Sequence, residues 1–124
     1  MSSRNYRDLI VWQKSMDMAE DVYRSTRTFP VEERYGMTAQ LRRAAVSVPS
    51  NIAEGQGRRT AGEFRQALSV ENGSRCEIET QVDLATRLGY LGPDVSARLM
   101  SQAEEVGRLL TGLVRGVAQH RGQE

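Results

Sequence analysis

Apolar residues recur at helical spacing in four successive stretches of the chain. From Asp8 onward, Leu9, Trp12, Met16, Ala19 and Tyr23 follow one another every 3 or 4 residues, with Asp8 placed to cap the first turn. Phe29 and Pro30 interrupt the pattern, and Pro30 fits the opening turn of a second helix, where its missing N–H costs nothing. Along that helix Met37, Leu41, Ala45, Val48 and Ile52 form the apolar stripe. Thr60 and Glu63 then have T-x-x-E capping-box spacing ahead of Phe64, Leu68, Ile78, Val82, Ala85 and Leu88, and Gly89 supplies a stop. Pro93 opens a fourth helix, whose Leu99, Ala103, Val106, Leu110, Leu113 and Val117 step as a bundle seam does. The predicted helices cover about 8–27, 31–56, 61–88 and 93–118, with a frayed polar tail after Ala118.

No stretch alternates with period 2, so the chain is predicted to be all-α. Four long helices joined by short turns give an antiparallel up-down-up-down four-helix bundle about 37 Å long. The 124 residues are expected to form one domain with one core.

Two helices carry residues that disturb the regular pattern. Pro49 lies inside the second helix, removes the hydrogen bond to the Ala45 carbonyl and costs about 3 kcal/mol in an ordinary helix interior, so a kink is expected there. It either lets the helix wrap its neighbours or frees a carbonyl for a polar partner. In the third helix Glu71 and Ser74 fall where the apolar stripe should continue, and Gly73 is expected to permit a close helix approach. A seam position for Glu71 demands a partner, for which Arg42 and Arg43 are the candidates.

Charge sharpens this picture. Arginine supplies 16 of the 17 basic residues, beside the single Lys14, and the formal net charge is +1. The charge is unevenly spread, since residues 34–66 hold six arginines against Glu54 and Glu63. Within that segment Gln40, Arg43, Ser47, Asn51, Glu54 and Arg58 line a second face of the predicted helix. Short uncharged groups such as Ser47 and Asn51 suit a subunit interface or a packed polar layer, where Glu54 would pair with Arg43 or with an arginine of another chain. At the end of the helix, Arg58 and Arg59 precede the expected start of the third helix, whose free N–H groups favour an anion. Alternatively these arginines cap the carbonyls of the second helix. With Arg42, Arg43 and Arg65 they form a candidate nucleic-acid phosphate surface.

Catalytic and cofactor chemistry finds little support. Gly55, Gly57 and Gly62 have neither the spacing nor the preceding strand of a dinucleotide fingerprint, and no G-K-[ST] follows. The lone His120 lies in the polar tail, and Glu54, Glu71, Glu77 and Glu79 without it make a poor metal-ligand set. Cys76 is expected to be a packed thiol with no histidine partner. No enzymatic activity, cofactor or metal is expected. A single buried thiol suits a reducing compartment, and no apolar run approaches a membrane span, so a soluble cytoplasmic protein is expected.

Several blocks, in order, carry a resemblance: D-L-I-V-W-Q-K at residues 8–14, F-P-V-E-E-R-Y-G at 29–36, Q-L-R-R-A-A-V-S-V-P-S-N-I-A-E-G at 40–55 and G-S-R-C-E-I-E-T-Q at 73–81. Together they resemble the four-helix-bundle proteins encoded in intervening sequences of 23S ribosomal RNA genes. That resemblance implies a cytoplasmic bacterial protein, frequently a homopentameric ring, without known enzymatic activity. Similar in fold are the accessory variability determinant proteins of diversity-generating retroelements, which bind nucleic acid and a reverse transcriptase. The resemblance places Arg42, Arg43, Ser47, Pro49, Asn51, Glu54 and Gly55 in the signature block. Where the family usually has Ala-x-Gly-Ser this chain has Glu71, Asn72, Gly73 and Ser74, and its net charge is lower than that of the strongly basic retroelement proteins.

The leading expectation is therefore a non-enzymatic homo-oligomer, a pentamer by resemblance, that acts as a scaffold for RNA or DNA and for a partner protein such as a reverse transcriptase. Arg42, Arg43, Arg58, Arg59 and Arg65 are its expected phosphate contacts, with Gln40, Ser47, Pro49, Asn51, Glu54, Glu71 and Glu77 in structural or interface roles. The alternative is a purely protein-binding or structural oligomer, in which the arginines pair between subunits with Glu54, Glu71, Glu77 or Glu79. No membrane partner is expected.

Overall fold

The structure, a computed structural model, describes residues 5–57 and 60–122, and in the last helix it describes side chains to residue 113 and at 115. Arg58, Arg59 and the side chains of Val117 and His120 lie outside the described residues. The described chain is helical, with α1 at Ile10–Ser25, α2 at Met37–Gln56, α3 at Ala61–Arg87 and α4 at Pro93–Gly122, and it contains no strand. Each helix packs against its neighbours in sequence, and α4 closes the ring against α1. The result is a four-helix bundle. Met18, Val22, Leu41, Val48, Ile52, Ile78, Val82, Leu99 and Val106 fill its centre, each nearly or wholly out of solvent. Each buried aliphatic side chain of this size contributes about 1.5–3 kcal/mol.

The start of α1 departs from the pattern-based expectation. Asp8 belongs to a short 3-10 turn, Tyr6–Asp8, where the Asn5 side chain accepts from the Arg7 N–H at 2.9 Å, and α1 begins at Ile10. Its buried face consists of Val11, Ser15, Met18, Ala19 and Val22, so of the expected stripe Ala19 lies in the core, Leu9 and Trp12 pack against it, and Met16 and Tyr23 are exposed. Ser15 explains the difference. Its hydroxyl donates to the Trp12 carbonyl at 2.8 Å, which lets a polar residue occupy the core face without an unmet hydrogen bond.

Helix α2 begins at Met37 rather than at 31. Residues Val31–Glu33 make a separate 3-10 turn after Pro30, and Gly36, with φ −105° and ψ −113°, breaks the path. Gly36 cannot cap through a side chain. The Glu33 carboxylate substitutes, accepting from the Met37 N–H at 3.1 Å, and a Cβ on Gly36 would lie 2.9 Å from its Oε1. Its second oxygen accepts from the Tyr90 hydroxyl at 3.1 Å, which ties the start of α2 to the α3–α4 turn. Downstream, α2 continues through Pro49, which is buried, and the expected stripe from Met37 to Ile52 lies in the core.

The other boundaries follow the sequence signals. Thr60 accepts from the Glu63 N–H at 3.0 Å, as a capping residue should. At the far end Gly89 takes φ +81°, the Tyr90 N–H bonds the Ala85 carbonyl at 2.8 Å and the Gly89 N–H bonds that of Thr86 at 3.1 Å. This is a Schellman stop. It turns Leu88 outward, so Leu88 is exposed rather than part of the core stripe. Pro93 is the first residue of α4, which extends to Gly122, past the expected end at Ala118. Gly73 has open space around it, so it mediates no close approach, and that role falls to Gly55, where a Cβ would lie 3.4 Å from that of Ala67.

Candidate nucleic-acid interface

The basic segment folds so that Arg42 and Arg43 stand on α2 facing a groove of about 750 Å³. Residues of α1, of the turn before α2 and of α2 itself line it. Arg42 is partly buried and fixed, its Nε donating to the Thr26 hydroxyl at 2.8 Å and its Nη2 to the Tyr23 carbonyl at 3.2 Å. Its guanidinium also lies 4.7 Å from the centre of the Tyr23 ring. These contacts satisfy the Tyr23 carbonyl and the Thr26 hydroxyl at the end of α1 and hold a cation over an aromatic face. Arg43, one residue on, is exposed.

Two further lining residues were not among the expected contacts. Arg34 and Tyr35 precede α2, with the Arg34 guanidinium 5.7 Å from the Tyr35 ring centre. Tyr35 is 85% exposed. The sequence did hold a signal, an arginine beside an aromatic within R-Y-G, but the early helix start placed both on an ordinary helix turn. No aspartate or glutamate lines this groove.

Arg65 is not brought to it. Gly55 packs on Phe64 and Leu68, which puts Arg65 near the opposite end of α2, roughly 20 Å along the helix from Arg42 and Arg43. There its Nε leans back to the Ala61 carbonyl at 3.4 Å.

The second face of α2 forms a polar layer against α3. The Ser47 and Ser74 hydroxyls are 2.8 Å apart, and the Asn51 amide donates to the Ser47 hydroxyl at 2.9 Å and to its carbonyl at 2.7 Å. Nearer the start of α2, the Gln81 amide donates to Gln40 at 3.4 Å and to the Glu77 carboxylate at 3.0 Å. Glu54 is exposed at the other end of this seam.

Glu71 is the buried acid of the bundle, only 1% exposed. Its partner is neither Arg42 nor Arg43 but Arg75, one turn on along α3, with Nε 3.1 Å from the carboxylate. The same guanidinium donates to Asn72 at 2.5 Å and rests against Gly107 of α4, where a Cβ would fall 2.6 Å from Nη1. Burial pushes the Glu71 carboxyl above its ordinary value, and the Arg75 charge opposes that shift. On the α1–α4 side, Arg98 grips Asp21 through two bonds of 2.7 and 2.9 Å and holds its carboxyl below the usual range.

Cys76 is exposed, not packed as expected, because it falls on the outer face of α3 beside Asn72 and Glu77. Among the described residues no three of His, Cys, Asp and Glu converge as a metal site would require, and no helix is long and apolar enough to cross a membrane.

The bundle is similar to a crystal structure of a protein of unknown function from the S23 ribosomal protein family of Bacteroides thetaiotaomicron. The two superpose with a TM-score of 0.77 at 20% identity, over 86% of this chain and 96% of the other. At that identity the likeness speaks for the fold. No curated protein matches the chain. The model of the 23S rRNA-intervening sequence protein family matches residues 7–112, which takes in α1, α2, α3 and most of α4, and the chain belongs to that family.

Proposed function

We propose that this chain is a non-enzymatic helical scaffold that assembles with copies of itself, as a ring of five, and holds RNA or DNA by its phosphates. A partner protein such as a reverse transcriptase completes the reading. One observation carries the nucleic-acid part: Arg34, Arg42 and Arg43 line a single groove that contains no carboxylate. Arg24, Arg75 and Arg98, by contrast, are each paired with an acid of the same chain. Arginines in a groove lined otherwise by aromatic and uncharged residues remain able to take a phosphate in a bidentate grip.

Self-assembly draws support from α3, where Val70, Leu84 and Leu88 are exposed. Their positions fall near one line along the helix, beside the α2 seam. The same line favours the second reading, an oligomer that binds only protein. Titration of labelled single-stranded and duplex RNA and DNA across a salt series, with the assembly mass recorded in each buffer, separates the two. Three phosphate contacts per subunit give a log–log salt slope of roughly −2 to −3 with the assembly intact. An assembly that binds no nucleic acid even at low salt supports the second reading and overturns the first.

A further inference from the structure

The groove between α1 and α2 holds more than phosphate-binding charge. Tyr35 is 85% exposed, which leaves its ring open to a partner, and Tyr23 at 42% shares the groove with it. Each ring has an arginine beside it, Arg34 at 5.7 Å from Tyr35 and Arg42 at 4.7 Å from Tyr23. Arg42 is further pinned by Thr26 and the Tyr23 carbonyl, which use two of its five N–H groups and leave three to face the groove or solvent. Exposed Val46 adds apolar surface on the α2 side, and the exposed Arg43 borders it.

Aromatic faces alternating with arginines, without an acid among them, match the needs of an unpaired strand. Its bases require flat apolar partners and its phosphates require cations. A duplex cannot use such a groove in the same way, because its base faces are stacked inside and only edges and backbone are presented. From Thr38 to Ser47 the groove runs about 14 Å along α2, and Tyr35 adds to it from the turn before the helix, enough for a few extended nucleotides. Resting on the phosphate-binding reading above, we infer that this groove is a single-stranded nucleic-acid site in which Tyr35 stacks on a base while Arg34, Arg42 and Arg43 contact flanking phosphates.

The test uses the full chain with a fluorescein-labelled 12-mer of oligo(U), the matching oligo(dT) and a 12-base-pair duplex, all read by fluorescence anisotropy. Circular dichroism and light scattering report fold and assembly mass. Tyr35→Ala is expected to weaken single-strand binding about 5- to 100-fold and to leave duplex binding unchanged, whereas Tyr35→Phe keeps the ring and the affinity. Arg43→Ala is expected to reduce the single-strand salt slope by about 0.7. Preference for oligo(U) over oligo(dT) would assign the site to RNA, and the reverse to DNA, with the stacking role upheld in either case. If the wild-type assembly binds no nucleic acid, the phosphate-binding reading falls and this inference with it. If it binds but Tyr35→Ala weakens strand and duplex alike, or neither, phosphate binding stands and the stacking site is overturned. A change of assembly mass in Tyr35→Ala would overturn it too, by marking the groove as a contact between copies of the chain.

Discussion

Arg75 and Arg43 both project from the interior of a long helix beside a groove, on opposite flanks of the bundle, and their surroundings assign them different work. Between α3 and α4, Arg75 meets a carboxylate one turn back and a glycine that leaves its guanidinium room to lie flat. Its charge is consumed inside the molecule. Between α1 and α2, Arg43 and its neighbours meet two tyrosine rings and no acid. In a chain of 16 arginines with a net charge of +1, the count of basic residues therefore says little about binding. The position of each carboxylate decides which arginines stabilise the fold and which stay available.

Stability measurements should break the symmetry between the two arginines first. Arg75→Ala leaves Glu71 buried without its partner and is expected to cost about 3 kcal/mol in urea unfolding, against less than about 0.5 kcal/mol for Arg43→Ala. Equal losses would dissolve the distinction. Gly107→Val sharpens it, because the new side chain displaces the Arg75 guanidinium at an expected cost of about 2 kcal/mol. In an Arg75→Ala background that cost should largely vanish, a non-additivity measurable by a double-mutant cycle. Along the α2–α3 seam between the two flanks, Ser47→Ala removes an acceptor from Asn51 and a partner from Ser74, for a loss of about 1 kcal/mol.

The smallest effects concern pH, and their signs oppose each other. Glu71 has a raised carboxyl, so its contribution to stability is full below the ordinary value of 4.5 and declines as pH rises from there through the raised folded value. Asp21 is held below 3.8, chiefly by the Arg98 hydrogen bond, so its contribution is full above 3.8 and is lost as pH falls through the depressed value. Glu71→Gln should flatten the stability profile just above pH 4.5 and Asp21→Asn should flatten it below 3.8, as read by thermal unfolding across buffers. The Asp21 effect should stay under about 1 kcal/mol, since Arg98 is half exposed.

The fold was largely legible because capping chemistry is local. Thr60, Gly89 and Pro93 mark helix ends through their own backbone preferences, and the stripe from Met37 to Ile52 is nearly free of polar intrusions. The face of α1 is disguised in the sequence because Ser15 satisfies its own hydroxyl within the helix and so places a polar residue in the core. The start of α2 is disguised because its cap is supplied by Glu33 reaching past Gly36. The site was legible only in part. Adjacent arginines announce Arg42 and Arg43, but only the folded turn before α2 brings Arg34 and Tyr35 to the same groove. Glu71 stands out as an acid on the core face, but its partner is Arg75, four residues along the same helix, and not an arginine of α2.

The most direct test is photo-crosslinking of single-stranded RNA substituted with 4-thiouridine, and of single-stranded DNA substituted with 4-thiothymidine, to the assembled protein, with the crosslinked peptides identified by mass spectrometry. Crosslinks are expected to concentrate in residues 23–47, centred on Tyr35, and to fall in Tyr35→Ala. Crosslinks confined to α3 and α4 around Arg75, or none from either nucleic acid at low salt, would contradict a stacking site in the α1–α2 groove.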